Sequence, residues 1–200
     1  MSMMAKTVYE GEVFPHRQLW LAARVMRQRS EADRDGALYL DMAAMLLARL
    51  TVEAYCNFAI HVLDVDTFDN ERQIFGGSTD AKLQWICDRV GMPLDRGRRP
   101  FQTIHSLDEL RDLMVHAKPE IFVGENLHPA DEEPPFMRPG ELERRATPAL
   151  RDQALEDVEQ ICEQMHQRIL GVSNREQVRR LHPYALTGTS QWQSRVTSLA

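Results

Sequence analysis

A mainly α-helical fold is predicted: an up-and-down bundle of about five helices, with a long proline-rich loop and extended terminal arms. Three observations carry that prediction. Apolar residues recur at spacings of three and four over long stretches, from about Ala37 to Leu63 and again from Leu150 to Ile169. Glycines and prolines fall between these periodic segments rather than within them. Serine and threonine stand where several of the segments begin, as helix caps do.

Each element follows in order. Residues 7–14, Thr-Val-Tyr-Glu-Gly-Glu-Val-Phe, read as a short strand or an extended arm. Pro15 suits the first turn of a helix that runs through Leu19, Ala22, Ala23 and Met26 and breaks at Gly36. The longest periodic segment spans about Ala37 to Leu63. Its stripe of Ala43, Leu46, Leu50, Glu53 and Asn57 starts apolar and turns polar. Asp64 to Gly77 is a polar connection. Ser78 or Thr79 caps a helix with Leu83, Ile86 and Val90 on one side, and Gly91 ends it. A basic loop with Arg96, Arg98 and Arg99 follows. The next helix starts at Ser106, where Ser106 and Glu109 match a capping box. Its core stripe is Leu107, Leu110, Met114 and Ala117, and Pro119 stops it. Glu120 to Ala146 is rich in proline and includes Glu-Ile-Phe-Val-Gly, a candidate strand to pair with the N-terminal one. Thr147-Pro148 opens the last helix, lined by Leu150, Ala154, Val158, Ile161, Met165 and Ile169 and ended by Gly171. Residues 1–173 form a single helical domain with its core at 37–170, and residues 174–200 form a C-terminal arm.

Bulk properties narrow the function. The net charge is −6, so the surface as a whole does not attract nucleic acid, and any RNA contact rests on a local patch. All but three of the 24 basic residues are arginine. Three widely spaced cysteines, Cys56, Cys87 and Cys162, form neither a disulfide framework nor a zinc pair, and each reads as a small buried apolar residue. The N-terminus lacks the apolar core of a signal peptide. A cytoplasmic protein without membrane attachment is expected.

The segment that carries chemistry is Ser106 to Pro119, with Arg111, Asp112 and His116. Arginine grips phosphate oxygens with a fixed fork of donors. Histidine moves protons near neutral pH. Asp112 and His116 are four residues apart and can interact on one helix face. Five helical residues separate Arg111 from His116, which sets the two side chains about 140° apart around the axis. They flank a face rather than share it.

Arg-Asp-x-x-x-His at the end of a helix resembles the signature of the HEPN family (higher eukaryotes and prokaryotes nucleotide-binding), helical proteins that include many ribonuclease toxins. Glu53-Ala54-Tyr55-Cys56-Asn57 likewise resembles the Glu-Ala-aromatic-x-Asn run of the first long HEPN helix, with Glu53 and Asn57 as supporting residues. The resemblance covers roughly residues 37–170. It implies a homodimer in which two such helices converge on a composite cleft and cleave RNA without a metal or other cofactor. Arg111, His116 and Asp112 would be catalytic. Arg96, Arg98, Arg99 and Lys118 would bind the substrate backbone. A cognate antitoxin protein is a further implied partner, in a toxin-like or defence setting. The competing class is a HEPN-like module that binds nucleotide, RNA or a protein partner without cutting. Glu163-x-x-His166 also matches half of a di-iron motif, but its only counterpart, Glu125-x-x-His128, lies in the proline-rich loop.

Overall fold

The computed structural model describes residues 5–11, 13–123, 125, 129, 139–174, 181–187 and 192–198, the two strands by backbone path alone. The protein is mainly helical. Among the described residues, five helices have twelve residues or more: α1 (Pro15–Ala32), α2 (Ala37–Leu63), α5 (Thr79–Val90), α6 (Phe101–Val115) and α8 (Pro148–Val172). Three have five residues each: α3 (Val65–Asp69), α4 (Glu71–Phe75) and α7 (Glu141–Arg145). Strand β1 (Ala5–Gly11) pairs antiparallel with β2 (Trp192–Ser198), with Ala5 opposite Ser198 and Gly11 opposite Trp192.

Local signals account for most boundaries. Gly36 takes φ 77° and separates α1 from α2. Ser78 Oγ accepts from Ala81 N and caps α5, and Gly91 closes that helix in the left-handed region. Asp64 accepts from Thr67 N and starts α3, so the predicted polar connection is partly helical. All three cysteines are free and buried.

Four expectations are corrected. Helix α6 begins at Phe101, not Ser106, so there is no capping box at Ser106. The buried stripe of Phe101, Ile104, Leu107 and Leu110 extends one turn earlier than the cap signal, and burying those residues outweighs a local capping preference. Its far end also moves, because Met114 is only half-buried and Ala117 lies outside the helix, exposed. Residues 120–123 have no regular structure, and the partner of β1 is β2, from the tail. Gly171 does not end α8, which continues to Val172. The last residue of the candidate strand and about half of the proline-rich loop lie outside the described residues.

The chain divides into two compact units. Unit 1 comprises residues 1–21, 50–94 and 159–200, and unit 2 comprises residues 22–49 and 95–158. The core of unit 1 includes Tyr55, Ile60, Leu83, Ile86, Ile161, Met165 and Ile169, all at most 2% exposed. Unit 2 buries Ala44, Met45, Ala48, Phe101, Leu107, Leu110, Ala154 and Val158. Helix α2 is long and apolar enough in composition to cross a membrane, and 56% of its apolar window is buried within the protein. Two of its charged residues, Asp41 and Arg49, are buried too.

Unit 2 holds those charges in pairs. Arg151 Nη1 donates to Asp41 Oδ1 at 2.7 Å and to Ser30 Oγ at 3.2 Å. Arg49 Nε donates to Asp108 on α6 at 2.5 Å. Buried charge of this kind is tolerated only when paired and hydrogen-bonded, so both pairs fix the register of the helices they join.

Candidate functional site

Arg111, Asp112 and His116 sit together at the C-terminal end of α6 in unit 2. Arg111 lies just before the last turn of the helix, which ends at Val115. His116 is its C-cap, with φ −111° and ψ 25°, and its backbone N–H donates to Asp112 O. Because His116 has left helical geometry, the 140° separation of an ideal helix no longer constrains it. Asp112 and His116 are exposed and Arg111 is half-buried. The guanidinium donates to Asp112 Oδ1 from Nε at 3.1 Å and from Nη2 at 2.6 Å. That pairing holds the Asp112 carboxyl below its usual range, with smaller contributions from the charges of His116 and Arg49. Asp112 is thus tied to Arg111 first.

Several contacts hold α6 in place. Arg49 pairs with Asp108, one turn before Asp112. Thr103 and Arg99 both donate to the buried carboxylate of Asp157 on α8, and Arg145 pairs with Glu109 at 2.9 Å. A catalytic group on such a helix has a fixed base and a solvent-facing tip.

The other predicted residues are distributed as follows. Arg99 donates to Asp157 from Nε and Nη2 at 2.8 Å each and to Glu156 at 2.7 Å, so its fork is engaged in holding α6 to α8. Arg98 is exposed and lies 3.7 Å from Asp95. Arg96 and Lys118 are exposed. Glu53 and Asn57 belong to unit 1, not to the unit that carries Arg111 and His116. Asn57 Oδ1 accepts from Lys82 Nζ at 2.8 Å, and the buried Lys82 also pairs with Glu71. Glu163 and His166 are used inside unit 1: Glu163 accepts from Leu186 N, and His166 Nε2 donates to the His182 carbonyl at 2.7 Å.

Sequence reasoning missed one constellation altogether. The buried face of α1 carries His16, Arg17, Trp20 and Ala23; of the expected residues Leu19, Ala22, Ala23 and Met26, only Ala23 is fully buried and the other three are half-buried. His16 Nε2 and Arg17 Nε both donate to the Ala185 carbonyl at 3.2 Å, and Arg17 Nη2 donates to Tyr184 O at 3.3 Å. Tyr55 donates to His166 Nδ1 at 3.1 Å. Residues 181–187 are thereby docked on unit 1 through their backbone. Burial drives the pKa of His16 down to about 3 and lowers that of His166 too, so both imidazoles are neutral. The available signal was Leu-His-Pro-Tyr-Ala-Leu-Thr, an apolar island within a polar tail, which offers carbonyls that a periodicity argument does not register.

No protein-family model matches the chain, and no curated protein or solved structure matches it either.

Proposed function

We propose that the chain is a HEPN-like, metal-independent endoribonuclease whose site is completed by a second copy of the same chain. The observation that carries this reading is the presence of both Arg111 and an exposed His116 at one end of a firmly anchored helix. Exposed apolar residues nearby in the sequence support the dimer: Val115 is 65% exposed, Ile121 88% and Val123 96%, and such residues suit a surface that a partner covers.

The chemistry follows from the two side chains. The RNA 2′-hydroxyl attacks the adjacent phosphorus while His116 accepts its proton. The bond from phosphorus to the 5′-oxygen breaks, and His116 of the second copy, as the imidazolium, donates a proton to that leaving oxygen. The products are a 2′,3′-cyclic phosphate and a 5′-hydroxyl. Arg111 binds the non-bridging oxygens and stabilises the charge that builds on them. Asp112 holds the guanidinium in place until phosphate replaces it. Arg96, Arg98 and Lys118 contact the RNA backbone. DNA lacks the nucleophile and is not cut. A toxin-like or defence role in the cytoplasm fits this activity, with an antitoxin protein as partner.

A second reading keeps the helical module as a binder of nucleotide, RNA or protein without cleavage. It is favoured by one observation: Arg111 donates to Asp112 through both Nε and Nη2, so it must exchange partners before it can hold phosphate.

The test is incubation of the chain and its His116→Ala variant with a mixed RNA pool in EDTA, followed by end-group analysis. Cleavage by the unmodified chain, leaving cyclic phosphates, with at least a hundredfold loss in the variant, is the expected result. No cleavage by either folded, dimeric protein moves the conclusion to the binding module. Equal cleavage by both removes His116 from the mechanism.

A further inference from the structure

A cavity of about 650 Å³ opens in unit 1 beside the start of α1, the second half of α2, α3 and the docked residues Leu181 and His182. That volume lies within the range of small-molecule sites. The walls are largely apolar and aromatic. Phe14 and Phe58 meet edge to face at 5.6 Å between centroids, and Phe68 meets His61 in the same way at 5.0 Å.

The polar part of the lining contains a guanidinium and no carboxylate. Arg17, the neutral Asn57 and the imidazoles of His16, His61 and His182 line the cavity, and none of its fourteen described lining residues is Asp or Glu. The chain as a whole carries 30 acidic residues in 200, so this lining runs against its composition. Arg17 is 8% exposed. It donates to the neutral carbonyls of Ala185 and Tyr184, and its guanidinium stacks 4.6 Å over the Phe14 ring. No carboxylate among the described residues forms an ion pair with it. Glu163 acts on it only from longer range and is itself bonded to Leu186 N. Desolvation accordingly lowers the pKa of Arg17, the mark of a buried cation short of countercharge. The first turn of α1, an 18-residue helix, also faces this cavity through Pro15, His16 and Arg17 and contains no acidic residue, so the positive end of its dipole is unopposed there.

We infer that this cavity binds a small aromatic monocarboxylate, with the carboxylate on Arg17 at the start of α1 and the ring among Phe14, Phe58 and Phe68. A carboxylate supplies the missing countercharge and matches the arginine fork. An aromatic body suits walls built from ring edges and faces. The inference does not depend on the ribonuclease reading, since it uses none of the residues at the tip of α6.

Isothermal titration of the full chain tests it with three probes: 2-naphthoate, 2-naphthylmethanol and decanoate. The expected result is 2-naphthoate binding at least about tenfold tighter than the neutral alcohol, the size of one charge-assisted hydrogen bond, and tighter than decanoate. Arg17→Met removes the preference for the acid over the alcohol. Val65→Trp, at a lining position that is 54% exposed, weakens both naphthyl ligands about tenfold with Tm unchanged. Because Arg17 also holds the docked tail, the probe comparison and the Val65 variant stand even if Arg17→Met does not fold. Failure of 2-naphthoate to bind, equal binding of acid and alcohol, tighter binding of decanoate, or full binding by Val65→Trp would each overturn the inference.

Discussion

Two arginine–histidine groupings among the described residues stand in opposite surroundings. At the tip of α6 in unit 2, His116 is exposed and Arg111 is half-buried and paired with an exposed aspartate. In unit 1, His16 and His166 are fully buried and Arg17 nearly so, and their partners are backbone carbonyls and a tyrosine hydroxyl. The same side chains therefore stand in different environments. A buried imidazole with both nitrogens bonded, as in His166, has no room for a substrate and functions as a structural strut. An exposed one at a helix end contributes little to stability and is free to meet a phosphodiester. The contrast teaches that a histidine's environment, more than its sequence neighbours, separates chemistry from architecture.

The comparison is broken most directly by exchanging the two roles. His116→Ala is expected to lose RNA cleavage at least a hundredfold and to leave Tm within about 2 °C, since exposed substitutions rarely disturb folding. His166→Ala is expected to do the reverse in kind. It strands the Tyr55 hydroxyl and the His182 carbonyl and empties a buried volume, costing about 3 kcal/mol, or roughly 6–12 °C in Tm. Thermal melts of the two variants side by side decide it. A destabilised His116→Ala or a fully stable His166→Ala would dissolve the distinction.

Acid sharpens the same contrast. His16 has a folded pKa of about 3 against 6.5 for the free side chain. Between those values the unfolded chain binds the extra proton, so stability rises with pH and is lost as pH falls from about 6.5 towards 3. His166, shifted in the same direction, adds to the loss. Denaturant melts at pH 7, 6 and 5 are expected to show a steady decline. In His16→Gln the protein starts less stable at pH 7 but declines less steeply. Paired carboxylates such as Asp112, whose pKa is lowered, weaken only at lower pH, so a decline confined to below about pH 4 would point to them and away from His16.

Much of the fold was legible in the sequence, and the misses share a cause. The boundaries of α2 and α5 follow from Gly36, Ser78 and Gly91 because backbone conformation and capping are local. The buried stripe of α8 was also readable, since Ala154, Val158, Ile161, Met165 and Ile169 are all buried. The face of α1 was not. His16 and Arg17 are polar, and they become buried only because the Tyr184 and Ala185 carbonyls, more than 160 residues later, accept their hydrogens. A pairing at that sequence separation leaves no periodic trace. The β1–β2 ribbon was hidden for the same reason. At the candidate site, the motif residues were legible one by one, but the bond between Arg111 and Asp112 was not, because spacing offered His116 equally well as the partner of Asp112.

The smallest effect concerns the start of α6, where local and tertiary signals disagree. Ser106-Leu-Asp-Glu109 has the form of a capping box, and a serine cap replaced by alanine costs about 1 kcal/mol. Ser106 instead lies inside a helix that begins at Phe101, with Phe101, Ile104 and Leu107 buried on one face. Within a helix, alanine is the better residue, because it loses no side-chain freedom and does not compete for backbone hydrogen bonds. Ser106→Ala is therefore expected to leave stability unchanged or to raise it by a few tenths of a kcal/mol, as read from urea melts. A loss near 1 kcal/mol would mean that the turn from Phe101 to His105 is not stably helical in solution. The anchoring of α6 through Thr103 and Asp157 would then fail with it, and His116 would stand on a shorter and looser support than the one described.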